Sequence, residues 1–366
     1  MGESPRIGNS VGADVMRGVA ILMVVVYHAF GSFYGWHLPW DGWLRNFSEP
    51  RSETLVWFYP VSFGWAGVSL FFTISGFCIH YSYLRAGKFD PGQFYWRRFW
   101  RIYPAYLISL VLFAILFGYS HLTYKGMSQI LSHAFFIHNF GSEGFFAINP
   151  SFWSIATEVQ LYLLFPVLLF IRGRLGISAT LVILFIVACG WRIIAISNWG
   201  LPEHPIDWVW TFPLMTWFDW SLGALVAERS FQGRRAFKNP GLWLPASLLL
   251  FVLSTFYKPL TVFSFTLAAL ASAVALDASL YVRWKSWWAW GLVFIGTISY
   301  SLYLWHQPLI PYLINRLKTI SGSSFVAWIG LVPLLLVGGW VSFQIFEKPA
   351  VAIGHRLRRS RRRADS

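Results

Sequence analysis

Apolar windows of about 20 residues follow one another through the chain, at roughly 14–34, 61–82, 102–119, 153–171, 176–197, 208–228, 241–257, 260–280, 291–314 and 325–347. A helix of about 20 apolar residues is long enough to cross the ~30 Å hydrocarbon core of a bilayer. The pattern therefore predicts an all-α fold, a polytopic transmembrane helical bundle of about ten spans. Charged residues make up only 12% of the chain, against about 25% in soluble domains.

A formal net charge of +14 could suggest nucleic acid, but the cations are gathered in short gaps between apolar runs, as in cytoplasmic loops. Ten spans with an inside N-terminus put 22 of the 29 Lys and Arg residues on one side. The expectation is a cell (inner or plasma) membrane protein with both termini cytoplasmic, the lipid bilayer as a partner and no nucleic acid. Residues 1–348 read as a single membrane domain and 349–366 as a basic cytoplasmic tail suited to anionic lipid. The first apolar run contains Arg17 and His28 and continues into bulky aromatics, so it reads as a retained span rather than a cleaved leader. Cys78 and Cys189 lie within apolar segments and read as small buried hydrophobes, with no disulfide or metal-ligand spacing.

Arg17 and His28 are eleven residues apart, which at about 100° per residue returns to within about 20° on the helix and separates them by roughly 16 Å along its axis. With Arg17 at one membrane face, His28 falls near the middle of the hydrocarbon, where an ionisable ring marks a functional site by default. Asp14, three residues before Arg17, can pair with it at the helix start. The run Tyr95-Trp-Arg-Arg-Phe-Trp-Arg101 reads as a short amphipathic cytoplasmic helix. Its aromatics suit the headgroup layer, and Arg97, Arg98 and Arg101 offer guanidinium forks matched to phosphate.

In Trp153-Ser-Ile-Ala-Thr-Glu158-Val-Gln-Leu-Tyr162, Glu158 and Tyr162 are i, i+4 and share a stripe. A carboxylate within a span wants a partner or a wet cavity. His306 is a second intramembrane imidazole, in a span with Ser299, Tyr300, Ser301 and Tyr303. Such hydroxyls also serve as glue between helices. Glu347-Lys348-Pro349 reads as an interfacial stop. Two non-spanning stretches, 35–60 and 120–152, fall outside. The second holds His121, His133 and His138 and includes a possible re-entrant segment, Ser128–Phe140.

Taken in order, Asp14-Val-Met-Arg17-Gly with His28, Gly67-Val-Ser-Leu-Phe-Phe-Thr-Ile-Ser75-Gly76-Phe, Arg97–Pro104, Trp153–Tyr162, Ile298–His306 and Glu347-Lys-Pro resemble the acyltransferase-3 family of membrane O-acyltransferases. The resemblance covers almost the whole chain. It differs where the family often carries a Glu pair and this chain has Glu158-Val159, and where Ser69 stands in place of an acidic residue. It implies a membrane module that moves an acyl group, most often acetyl, from cytoplasmic acetyl-CoA or another acyl-CoA. The acceptor is a hydroxyl of a glycan, such as a surface polysaccharide or lipid-linked sugar, and no metal takes part.

On that scheme His28 is the general base, a role open to an imidazole with a reference pKa near 6.5. Arg97, Arg98 and Arg101 dock the coenzyme phosphates, with Arg17 as a positive lip. Glu158 orients His28 or binds sugar hydroxyls. Tyr300, Ser75 or an amide near Gly76 meets the oxyanion. Asp14, Trp153, Tyr162 and His306 complete the candidate substrate site. An acyl-histidine step, acylation of a macrolide-type molecule, a secondary transporter with midplane ionisable groups and a scaffold role are the competing readings.

Overall fold

The computed structural model describes residues 11–34, 55–120, 122–202 and 206–364. Most of the first outer stretch (35–54), His121 and the side chains beyond Arg358 lie outside the described residues. Among those described the chain is helical, without strands.

The order is α1 (Val11–Tyr34), a 3-10 segment (Leu55–Phe63), α2 (Ala66–Ala86), α3 (Pro91–Leu116), α4 (Tyr124–Ala134), two single turns, and α5 (Phe152–Trp199). Then follow α6 (Pro213–Phe231), α7 (Pro240–Phe256), α8 (Ser264–Ser279), α9 (Trp287–Thr297), α10 (Ser299–Ser321) and α11 (Ser324–Ser342). A π-helical turn, Phe343–Glu347, leads into α12 (Lys348–Ala364). Among the described residues six helices are long and apolar enough to cross a membrane: Val11–Phe33, Ala66–Ala86, Pro91–Leu116, Phe152–Trp199, Lys258–Ser279 and Ser324–Arg358.

The count of six departs from the ten windows for physical reasons. The windows 153–171 and 176–197 fall in one 48-residue helix, α5, interrupted at Gly176 (φ 78°, ψ 165°). At ~1.5 Å per residue its length is about 72 Å, more than two hydrocarbon thicknesses. The window 208–228 became α6, whose Asp219, Glu228 and Arg229 make it polar, and α7 is 17 residues long. The window 291–314 is broken at Ile298 into α9 and α10. The arginine run is no separate helix. Asp90 accepts from Gln93 N at 2.9 Å as N-cap and Pro91 takes the first turn, the combination that starts a helix. The arginines therefore ride the first turns of the 26-residue α3.

The outward surface carries Ile115, Leu116, Ile186 and Ile193 at 63–71% exposure, with Trp287 at 86%; such a face suits lipid rather than water. Inside, α2 and α6 touch backbone to backbone. A Cβ on Gly223 would strike the Thr73 carbonyl, and one on Gly76 would strike that of Trp220. Fully buried Trp220, Phe165, Phe152, Tyr106 and Phe113 fill the centre. Arg192, an arginine outside the cation-rich gaps, is 2% exposed and ties α5 to α8 by donating to Val262 O at 2.9 Å and to Thr266 Oγ1.

The stretch 120–152 packs rather than loops. Gln160 donates to Phe136 O (2.6 Å), Asn149 to Leu304 O (2.9 Å) and Ser151 to Gln307 Oε1 (2.6 Å). These bonds pin it to α5 and α10, on either side of His306. Phe136 (φ 56°) and Ile148 (φ 60°) hold left-handed backbone there, a conformation that surrounding packing must impose on bulky residues.

Candidate active site

An internal cavity of about 120 Å³ is walled by α1, α2, α3, α5 and α10. Its polar lining is Arg17, Ser75, Cys78, Arg98, Arg101, Ser154, Glu158, Tyr162, Ser299, Tyr300 and Tyr303. At its α1 edge Arg17 Nη1 donates to Asp14 Oδ1 and Nη2 to Cys78 Sγ at 3.0 Å. Tyr162 donates to Glu158 Oε1 at 2.6 Å, one turn away on α5. The Arg98 guanidinium lies 5.8 Å from the Tyr162 ring centroid, within cation–π range.

Arg101 is anchored from behind. Its Nη1 lies 3.3 Å from Glu347 Oε1, and Glu347 Oε2 accepts from Ser301 at 2.8 Å. Glu347 is 1% exposed and ends the π turn. Such turns insert a residue into an α-helix and recur at functional sites. The sequence reading of an interfacial stop missed this carboxylate. Its only signal was an acidic residue at the end of an apolar run. Cys78, read as a small hydrophobe, was missed as the partner of Arg17. Tyr303 was read as helix glue at most, and Ser154 was given no role.

His28 does not line the cavity. Its Nδ1 is 2.8 Å from Val24 O and 3.3 Å from His306 Nε2, with the two rings edge to face at 4.9 Å. His306 is fully buried, and its Nδ1 faces Tyr303 O at 2.8 Å. A neutral imidazole carries one N–H. That proton sits on Nδ1 of His306, donated to the Tyr303 carbonyl, so its Nε2 is an acceptor turned toward His28. The Nδ1–H of His28 then meets both Val24 O and His306, which leaves Nε2 as its basic nitrogen. Tyr303 both lines the cavity and neighbours His306. Its hydroxyl meets Ser154 Oγ at 2.7 Å, its ring lies 5.2 Å from His306, and Phe71 packs against its other edge at 6.0 Å.

The other candidates are dispersed. Glu158 meets Tyr162 rather than His28. Tyr300 lines the cavity but donates to Ile102 O at 2.8 Å. Ser75 accepts from Trp220 Nε1 at 3.3 Å, and Gly76 is pressed against the α6 backbone. Trp153 is buried, stacked on Phe145 at 5.3 Å. Arg97 leaves the main cavity and lines two neighbouring clefts instead. Among the described residues no His, Cys, Asp and Glu group has metal-site geometry.

An apolar helical bundle with an arginine-lined cavity and a histidine pair, His306 fully buried and His28 part-buried, is an architecture suited to a membrane enzyme. The acyltransferase-3 family profile, described as an acyltransferase domain, matches residues 10–344, and the chain belongs to this family. The chain is 25% identical to the O-acetyltransferase OatA of Staphylococcus aureus over 373 residues, 92% of this chain and 56% of that protein. A putative peptidoglycan O-acetyltransferase, YrhL of Bacillus subtilis, is 25% identical over 94% of this chain and 55% of its own length. Nodulation protein 10 of Rhizobium leguminosarum bv. viciae is 24% identical over 93% of both chains. The chain thus spans about half the length of OatA and YrhL. No solved structure matches. Family and apolar helices together mark a multi-pass membrane protein.

Proposed function

We propose that the protein is a membrane-embedded O-acyltransferase that takes an acyl group, acetyl in the first instance, from acyl-CoA and passes it to a hydroxyl of a cell-envelope glycan. The reading rests above all on one observation. Tyr303, which lines the cavity together with Arg17, Arg98 and Arg101, has its ring 5.2 Å from that of His306, and the His306 ring lies 4.9 Å from that of His28.

On this reading the arginine face and both termini are cytoplasmic in an inner or plasma membrane crossed about ten times, with the two halves of α5 crossing separately. Segregation of 22 of the 29 basic residues supports the orientation. The coenzyme phosphates bind the guanidiniums, and the arm threads the cavity past Arg17 and Glu158. The acyl group reaches His28 when the Tyr303 side chain swings away from Ser154. Nε2 of His28 takes the acceptor hydroxyl proton as the new C–O bond forms, and the thioester C–S bond breaks to release the coenzyme thiolate. His306 fixes the tautomer of His28 through their Nδ1–Nε2 contact. A glycan acceptor is favoured by the likeness to YrhL, a putative peptidoglycan O-acetyltransferase.

The test is transfer of labelled acetyl from acetyl-CoA by the purified protein to a peptidoglycan or polysaccharide fragment. His28→Ala is expected to lose the transfer while inserting normally into the membrane. Undiminished transfer by that variant would remove His28 from the chemistry. An absence of transfer from acetyl-CoA, with transfer from another donor, would remove the coenzyme. Quenching a single turnover without acceptor separates direct transfer from an acyl-enzyme.

A further inference from the structure

A second cleft, of about 130 Å³, lies where α12 packs on the first turns of α3, and it shares Arg98 and Arg101 with the main cavity. Arg97 and Trp100 line it from α3, and His355 and Arg358 line it from α12. Four guanidiniums and an imidazole thus face one small space. Packing, not chance proximity, brings α12 here. Trp96 Nε1 donates to Gly354 O at 2.9 Å. A Cβ at Gly354 would collide with the Trp100 indole, so only glycine permits this approach. Arg358 is one turn beyond Gly354 and therefore on the same helix face.

Like charges lining one space repel unless an anion sits among them, and the Glu347 carboxylate answers only Arg101. Two further donors await an acceptor. Arg98 Nε and Trp100 Nε1 are buried without a hydrogen-bond partner among the described residues, and buried donors are normally paired.

We infer that α12 forms the second wall of an anion site in which Arg358 and His355, together with Arg98, Arg101 and Trp100, clamp the terminal phosphomonoester of the acyl donor. The inference rests on the acyl-CoA reading and extends it to the C-terminal helix. A phosphomonoester carries about −1.5 to −2 charges at neutral pH and offers three acceptor oxygens, which matches donors converging from two helices. A ligand with a phosphate at one end and an acyl arm at the other would bridge the two spaces, because Arg98 and Arg101 line both.

The experiment measures binding of CoA and of 3′-dephospho-CoA to the purified full-length chain in nanodiscs. Arg358→Gln is expected to weaken CoA about tenfold, the equivalent of ~1.4 kcal/mol, and to shrink the preference for CoA over its dephospho form by a similar factor. His355→Gln should do the same to a smaller extent. Gly354→Leu, which pushes α12 off Trp100, should reproduce the Arg358→Gln effect. Arg358 is half-buried, so its variant is expected to keep the parent's unfolding temperature.

Unchanged CoA affinity in Arg358→Gln, alongside weakened binding in Arg98→Gln, would overturn the role of α12 and leave the donor reading intact. An unmodified chain that binds no CoA would overturn both. Loss of binding to phosphatidylglycerol nanodiscs, with CoA affinity untouched, would make the cleft a lipid-headgroup site and overturn the proposal.

Discussion

Helix α2 separates two groups of charge that the same chain treats in opposite ways. On one side His80 Nε2 and Arg172 Nε both converge on Glu228 Oε1, at 3.0 and 2.5 Å. His80 is fully buried and the Glu228 side chain 6% exposed. On the other side Arg17, Arg101 and Glu158 line open volume, and the Arg101 side chain keeps 43% of its surface. Cys78 and His80, only two residues apart, are turned about 160° from each other by helix geometry, one to each group. The closed group has its charges answered by one another and reads as structure. The open group has donors left over and reads as chemistry.

The largest expected difference between the two sides is in activity. His28→Ala should lower transfer by about 10²–10⁴-fold, the usual worth of a positioned general base, measured as turnover per correctly inserted molecule. The converse variant belongs to the closed group. Removing one partner of a buried ion pair leaves the other charge stranded and costs about 3–5 kcal/mol. Glu228→Gln should therefore lower the thermal midpoint sharply, while the fraction that still folds turns over at the parental rate. A Glu228→Gln protein that is stable but inactive would erase the distinction.

Glu347→Gln tests a carboxylate that belongs to the open side yet is itself buried. Loss of the charge behind Arg101 should raise the donor KM several-fold to about tenfold, in keeping with one charge-assisted contact of ~1.4 kcal/mol. Ser301→Ala, which removes only the neutral donor to the same carboxylate, should do less, near 1 kcal/mol.

The smallest effect lies outside both groups, in α4, an 11-residue helix apart from the spanning windows. Burial pushes the His133 ring down to about 4, against the Gln129 and Ala147 carbonyls at 2.7 and 2.9 Å, each of which favours a donor. His138 stacks on it at 3.8 Å and is likewise held neutral, chiefly by burial. With folded values below the unfolded ~6.5, the stability these rings contribute is complete above that pH and is lost as pH falls from 6.5 toward 4. The thermal midpoint should decline over that window, and His133→Gln should flatten the decline. A midpoint that rises on acidification would mean that the carbonyls prevail over burial.

What the sequence disclosed follows from one-dimensional periodicity. The apolar windows gave the helices, the i, i+3 spacing gave the Asp14–Arg17 pair, and the i, i+4 spacing gave the Tyr162–Glu158 stripe. Window counting does not reproduce the helix boundaries where tertiary packing decides them. The break at Ile298 and the polar character of α6, whose Asp219 and Glu228 are sheltered by neighbouring helices, do not follow from length and hydropathy. The same holds for site residues missed or misplaced. Glu347 gains its role from Arg101 and Ser301, 246 and 46 positions away, and Cys78 from Arg17, 61 positions away. No local pattern encodes those distances. His306 was legible as an intramembrane imidazole, but its contact with His28 across 278 residues was not.

The turn Phe343–Glu347 carries one extra residue on the way into α12. Each residue of an α-helix advances the chain by about 100° and 1.5 Å. The wider π turn rotates less per residue, so it takes up its extra residue and hands α12 on close to the heading of an uninterrupted helix. One residue added to or removed from the regular winding beyond it, between Lys348 and Gly354, would instead turn His355 and Arg358 by about 100° around the axis, so the basic face is dialled toward or away from α3 by a change of length alone.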